Sequence, residues 1–247
     1  MKTVLITGCS SGFGLEIAKH FLARDWNVVA TMRTPRTDLL PASPNLRILP
    51  LDVGDESSIR AALEAAGPVD VLVNNAGIGL LGAVEAITMD KVREIFETNT
   101  LGTIALTQAV LPQMRERREG VVINVTSSVT LKSLPLLAVY TGSKAAVNGF
   151  TESLALELQA FGIRAHIVLP GRSPSTKFAE NARTRMDGNI PEAYGPLAAA
   201  VFENFQDESQ VTYAKDVADA VWQAATDPSA PTRIPAGEDA IAWAAAA

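Results

Sequence analysis

The 247-residue chain has a single cysteine, Cys9, so an intrachain disulfide is impossible. A lone thiol points to a reducing compartment and predicts a cytoplasmic protein. Histidine is almost as scarce. His20 and His166 have no ligand-type neighbours at metal-binding spacing, and no zinc pattern occurs, so both are assigned to structure. No apolar run is long enough to span a bilayer. The run in "MKTVLITG" meets a glycine too soon for a secretory signal. Positive charge is in deficit, with 21 Lys+Arg against 27 Asp+Glu and a formal charge of −6, which argues against nucleic acid or an anionic membrane as partner. There is no Pro/Gly/Ser linker and no internal repeat. One domain over residues 1–247 is the expectation.

What the chain does have is 47% hydrophobic residues against 19% charged, enough for a substantial core. β-Branched apolar runs at 3–7, 27–32, 46–51, 69–74, 120–127, 163–170 and 232–237 read as strands. Helical spacing appears between them, at 13–24, 55–67, 88–118, 138–160 and 212–226. The long helix ending in "RERREG" places basic residues at its negative end and is expected to stop at Gly120. Residues 171–210 read as irregular, and the fate of the tail "AIAWAAAA" stays open. Strands that are continuous apolar runs, alternating with helices, predict an α/β fold with a parallel sheet covered on both faces. Ligands of such folds bind at the carboxyl ends of the strands.

The residues that follow the strands are informative. "TGCSSGFG" (7–14) places Gly8, Gly12 and Gly14 between the first strand and the first helix. Glycines there let a phosphate approach the unpaired N–H groups of a helix start. The spacing is not the usual G-x-G-x-x-G fingerprint. "YTGSK" places Tyr140 and Lys144 one helical turn apart on one face.

With "NNAG" (74–77) after the fourth strand, these motifs make the chain resemble the short-chain dehydrogenase/reductase family over roughly residues 1–237. The resemblance implies a Rossmann-like doubly wound parallel sheet of about seven strands. It implies that Tyr140 is the general acid for ketone reduction and the base for alcohol oxidation. Lys144 would bind the nicotinamide ribose and lower the tyrosine pKa, since a nearby cation favours a phenolate. The family serine precedes the tyrosine by thirteen residues, which selects Ser127 over Ser128. Asn99 in "ETNTLG" would hold a water linking the lysine to solvent.

The same resemblance assigns a cofactor site. Gly8, Ser10, Ser11, Gly12, Phe13 and Gly14 would surround the pyrophosphate. Asp52 would bond the adenine amine and Val53 would pack on the ring. Asn74, Ala76 and Gly77 would line the channel. Pro170 and Gly171 begin a loop in which Ser175 or Thr176 approaches the carboxamide, and Thr176 is preferred. Met32 stands where NAD-preferring relatives carry an acid, and Arg33, Thr34 and Arg36 follow. A guanidinium suits a 2′-phosphate, so NADP(H) is the expected cofactor.

Residues 171–210 would form a lid over the substrate, bringing Phe178, Met186, Ile190, Tyr194, Leu197, Phe202 and Phe205 against Val129, Leu131, Leu134, Leu136, Leu137 and Val139. Apolar walls around a few polar groups predict a small hydrophobic carbonyl or alcohol substrate. Arg172, Lys177, Arg183 and Arg185 are read as a solvated lid face. Relatives pair through their two long helices, which implies a homodimer or homotetramer. The competing reading is a non-enzymatic NADP-binding regulatory protein on the same fold.

Overall fold

The computed structural model describes residues 1–174, 176, 182, 184–186, 188, 190–206 and 210–246. Seven parallel strands form one sheet in the order β3-β2-β1-β4-β5-β6-β7. They are β1 (Thr3–Ile6), β2 (Asn27–Met32), β3 (Leu46–Pro50), β4 (Val71–Asn74), β5 (Gly120–Val125), β6 (Ile163–Pro170) and β7 (Arg233–Ala236). The helices are α1 (Gly12–Leu22), α2 (Glu56–Ala66), α3 (Met89–Phe96), α4 (Gly102–Arg117), α5 (Ala138–Leu158), α6 (Gly195–Gln206), α7 (Ala214–Thr226) and α8 (Glu238–Ala245).

The central strands look uniformly apolar because both of their faces are buried. Val4 and Ile6 join one core cluster with Val28, Ala30, Val71, Val73 and Ile123, beneath α1 and α7. The alternate residues Leu5, Val29, Leu72 and Val122 join a second cluster beneath α2, α4 and α5. Strand geometry sends successive side chains to opposite faces, so one unbroken run supplies two cores. Each fully buried Leu or Ile contributes on the order of 1.5–3 kcal/mol. A third, smaller cluster joins Leu81, Ala83 and Leu136 to Ala198 and Val201 of α6.

Local chemistry sets some helix ends. Asp55 caps α2 by accepting from the N–H groups of Ser57 and Ser58, and Gly67 ends it with φ 69°. α4 stops earlier than Gly120. Arg118 takes the left-handed conformation (φ 54°), and Gly120 is the first residue of β5. A β-carbon at Gly120 would lie 2.5 Å from Met114 Sδ, so this glycine permits close packing rather than a helix stop.

The helix expected over 88–118 is interrupted. Residues Glu97–Leu101 form a π-helical turn between α3 and α4. Such turns are rare and occur mainly at functional sites. In the region read as irregular, α6 forms, and the alanine-rich tail forms α8.

Between β1 and β4 the strand order reverses direction, which is the switch point where doubly wound sheets bind ligands. The glycine loop follows β1 and "NNAG" follows β4, so both motifs lie at that crevice. Among the described residues, no helix is long and apolar enough to cross a membrane.

Candidate active site

β5 ends at Val125, and its exit carries Ser127 into a short 3₁₀ turn, Ser128–Thr130. Ser127 Oγ accepts from the Val129 N–H at 3.3 Å. It is also hydrogen-bonded to the Tyr140 hydroxyl, where it favours the phenolate. Ser128 is buried beside it, and its carbonyl accepts from Leu131 and Lys132. The fold therefore brings Ser127, and not its neighbour, to the tyrosine.

Tyr140 and Lys144 lie on the buried face of α5, 6% and 5% exposed. Lys144 Nζ donates to the Val125 carbonyl at 3.1 Å. A β-carbon at Gly77 would stand 3.2 Å from both Lys144 Nζ and Asn99 Oδ1, so the glycine of "NNAG" lets the backbone pass close to both polar groups. Asn99 sits inside the π-helical turn and is 1% exposed. Its Oδ1 accepts from the Ile78 N–H at 2.8 Å, and its Nδ2 donates to the Ile78 carbonyl at 2.9 Å and to Ser143 Oγ at 3.1 Å. The four expected catalytic residues thus come from three chain segments: the π-helical turn, the exit of β5 and α5.

The electrostatics differ from expectation. Lys144 was expected to depress the tyrosine. Instead burial pushes the Tyr140 phenol up to about 12, only partly offset by the Ser127 hydrogen bond. Burial also pushes Lys144 down to about 8. For both groups the cost of removing the charged form from water is the leading cause. The phenol is accordingly held as a neutral proton donor across the ordinary pH range.

The glycine loop is shaped to receive an anion. Gly8 and Gly12 have φ 75° and φ 57°, the left-handed region that glycine enters without strain. A β-carbon at Gly14 would lie 2.4 Å from the Gly8 carbonyl oxygen. Ser11 stands at the N-cap of α1 with no side-chain cap, and the first turn holds no acid. The leading N–H groups and the positive end of the dipole are thus available to phosphate oxygens. Ser10, Ser11 and Phe13 border this loop, none of them fully buried.

Two partners of this loop were not apparent from sequence. Thr7 Oγ1 accepts from the N–H groups of Asn75 and Ala76 at 2.9 Å each. Asn75 Nδ2 donates to the Thr7 carbonyl at 2.8 Å. Together they fasten the β1 exit to the β4 exit. The second asparagine of "NNAG" was the available signal. The first, Asn74, differs from the expected channel-lining side chain. It is buried, and its Nδ2 donates to Thr107 Oγ1 and Asn124 Oδ1 at 3.0 and 2.9 Å.

At the end of β2 the Met32 side chain turns into the core, while Arg33 and Thr34 are exposed. Arg36 is held by Asp38 through two bonds of 3.2 and 2.6 Å. Asp52 is exposed, and its Oδ1 accepts from the Gly54 N–H at 3.0 Å. Val53 is half-buried and packs against α4, so close that a β-carbon at Gly102 would stand 2.8 Å from its Cγ2.

β6 ends at Pro170, and Gly171 leads into a turn. Thr176 donates from Oγ1 to the Ser173 carbonyl at 2.9 Å. Its methyl would lie 3.6 Å from a β-carbon at Gly12, which places it over the glycine loop. Ser173 Oγ is buried with no hydrogen-bond partner among the described residues, a polar group suited to a ligand. Ser175, Lys177, Phe178 and Arg183 lie outside the described residues, as does the side chain of Phe205.

On the substrate side, Met186, Ile190, Tyr194, Leu137 and Phe202 pack against the third cluster, whereas Leu197 is exposed. Arg172 donates to the Gln210 carbonyl and Arg185 pairs with Glu94 at 3.3 Å. Leu136 holds a left-handed backbone (φ 63°), and its carbonyl accepts from the Gly82 N–H at 2.9 Å. That conformation costs a leucine roughly 1–2 kcal/mol. Strain of this kind collects at functional sites, and Leu136 lies four residues before Tyr140. The two histidines lie away from this site. His166 contacts Arg164 and the Pro231 carbonyl, and His20 lies beside Asp219 and Trp222.

The comparisons agree with this geometry. The family model described as "short chain dehydrogenase" matches residues 2–187. An uncharacterized oxidoreductase of Bacillus subtilis is 36% identical over 241 residues, covering 91% of this chain and 85% of the relative. Retinol dehydrogenase 8 of Bos taurus is 43% identical over 183 residues, covering 69% of this chain and 58% of that enzyme. The crystal structure of a short-chain dehydrogenase from Streptomyces avermitilis superposes with a TM-score of 0.84 at 32% identity, covering 99% of this chain and 91% of the other. Further solved neighbours at 28% and 26% identity were crystallised with NADP+ and with NAD. The seven-stranded sheet, the glycine loop at its switch point and these matches lead to one assignment: the chain belongs to the short-chain dehydrogenase family of oxidoreductases.

Proposed function

We propose that this protein is an NADPH-dependent reductase of hydrophobic ketones or aldehydes, acting reversibly through Tyr140. The observation that carries the reading is the Ser127–Tyr140 hydrogen bond beside a buried Lys144. NADPH, when bound, supplies the hydride that goes to the carbonyl carbon. The loop of Gly8, Ser10, Ser11, Gly12, Phe13 and Gly14 would hold its pyrophosphate. Asp52 and Val53 would meet the adenine, Ala76 and Gly77 the channel, and Thr176 the Pro170–Gly171 side. Arg33, exposed and with Thr34 next to it, would take the 2′-phosphate.

The chain's own residues do the acid–base work. Ser127 donates to the carbonyl oxygen and polarises it. Tyr140, held neutral by burial, delivers its proton to that oxygen as negative charge develops there. Lys144 and Asn99 return a proton to the phenolate. The lysine's pKa of about 8 lets it give up and regain a proton near neutral pH. The apolar cluster of Leu81, Leu136, Ala198 and Val201 supports a hydrophobic substrate. Retinol dehydrogenase 8 among the relatives supports the same class. Leu156, 70% exposed on α5, and Leu101 beside α4 suit a homodimer or homotetramer built on the long helices.

Initial rates of NADPH and NADH oxidation over aromatic, aliphatic and steroid ketones test the reading. Turnover with NADPH favoured is expected. Cofactor binding without turnover on any ketone would instead support a regulatory role.

A further inference from the structure

Asp239 is a buried carboxylate that the proposed chemistry does not use. It lies in the first turn of α8, 4% exposed. Its Oδ2 accepts from the Arg172 backbone N–H at 2.6 Å, and its Oδ1 from Thr212 Oγ1 at 2.7 Å. Thr212 Oγ1 in turn accepts from the Gly171 N–H at 2.9 Å. The Arg172 N–H is therefore held by the acid directly, and the Gly171 N–H through Thr212 Oγ1, whose one proton is shared between Asp239 Oδ1 and the Ala236 carbonyl at 2.9 Å; the Gly171 N–H also reaches that carbonyl at 3.3 Å. The packing is tight. A β-carbon at Gly171 would stand 2.1 Å from Asp239 Oδ1, and one at Gly237 would stand 2.0 Å from Thr212 Oγ1.

A buried charge needs compensation. Here the start of α8 supplies part of it, because Asp239 sits where a helix dipole favours an anion. The same helix has a second anchor. The Lys132 ammonium lies 5.0 Å from the centre of the Trp243 ring. Lys132 belongs to the turn that follows Ser127, and its N–H donates to the Ser128 carbonyl. α8 thus touches both the loop after β6 and the loop after β5. These loops flank the reacting centre from two sides.

We propose that Asp239 is a positioning residue, whose carboxylate fixes the Gly171–Arg172 backbone in the conformation that receives the nicotinamide end of the cofactor. The proposal rests on the reading of the Pro170–Gly171 loop as part of the cofactor site. Hydrogen bonds to a charged acceptor are stronger than neutral ones, and a loop left without them must be ordered again by the ligand.

The test uses the full chain and two probes, NADPH and 2′-phospho-ADP-ribose, which carries the same phosphates but no nicotinamide. Nucleotide fluorescence reads the first and calorimetry the second. Asp239→Asn is expected to weaken NADPH about tenfold and 2′-phospho-ADP-ribose by less than about twofold. Thr212→Val should follow the same pattern, and Thr212→Ser should keep the wild-type affinities. Equal losses for both probes, or no loss for either, overturn the positioning role. Failure of the wild-type chain to bind either probe overturns the cofactor reading itself and the proposal with it.

Discussion

Asn99 Nδ2 lies 3.1 Å from Ser143 Oγ, and that same hydroxyl donates to the Tyr140 carbonyl at 2.7 Å. Thr100 adds a bond from its Oγ1 to the Ser143 carbonyl at 3.0 Å. One small buried residue thus connects the π-helical turn to the turn of α5 that carries the tyrosine. Ser143→Ala should leave NADPH binding nearly unchanged, lower stability by about 1–3 kcal/mol because a buried Asn99 N–H loses its partner, and lower kcat about tenfold. Steady-state kinetics beside a thermal melt checks this. An unaltered kcat would remove Ser143 from the site's supports.

The two serines after β5 should separate cleanly. Ser127→Ala removes the hydroxyl bonded to Tyr140 and is expected to lower kcat by at least about a hundredfold. Ser128→Ala should keep kcat within about threefold, since no role in the proton transfer is assigned to it. Parallel kinetics on both variants decides, and comparable losses would contradict the assignment of Ser127.

Lys144 is costly to the fold, and the sign of that cost can be worked out. Its folded pKa of about 8 lies below the ordinary value of 10.5. Between those two values the unfolded chain binds more protons, so stability rises with pH across that window. Below pH 8 the buried ammonium costs on the order of 3 kcal/mol. Lys144→Met removes that cost and also the bond to the Val125 carbonyl, worth ~1 kcal/mol. The variant should therefore be inactive yet ~2 kcal/mol more stable at pH 7. The advantage should vanish by about pH 10.5. Tyr140 acts in the opposite sense above pH 10, where its raised pKa withholds ionisation in the folded state and stability falls. Urea denaturation at pH 7 and pH 10 measures the difference. A variant less stable than wild type at pH 7 would refute this account of Lys144.

Cofactor choice should depend on Arg33, because Arg36 is occupied by Asp38 and Met32 faces the core. Arg33→Ala is expected to weaken NADPH at least about tenfold while leaving NADH unchanged. Fluorescence titration with both nucleotides gives the answer. Equal losses for the two would move the 2′-phosphate site elsewhere.

Much of this was legible in the chain, and the failures have physical causes. Strands buried on both faces announce themselves as apolar runs, and all seven appear within a few residues of the sequence reading. The π-helical turn did not, because i→i+5 bonding there goes with tertiary bonds from Asn99 to Ile78 and Ser143, which leave no local pattern. The end of α4 was legible to within a residue but its cause was not, since Arg118 in the left-handed conformation closes the helix and Gly120 serves Met114 instead. α6 did carry a signal, a proline in its first turn followed by Ala198, Val201 and Phe202 at helical spacing. The direction of the Tyr140 shift depended on burial, which a motif does not state. Asp239 drew no reading from sequence, because Thr212 and the Arg172 backbone reach it only through the fold.

The central claim is that Tyr140 moves the proton, and Tyr140→Phe addresses it most directly. The substitution removes one oxygen from a buried ring and leaves the glycine loop untouched. NADPH oxidation with a ketone that wild type reduces, and NADPH binding by fluorescence, are measured on the same preparation. The account predicts turnover reduced by at least about a thousandfold with the dissociation constant within about threefold of wild type. A variant that binds NADPH and retains most of its turnover would contradict it.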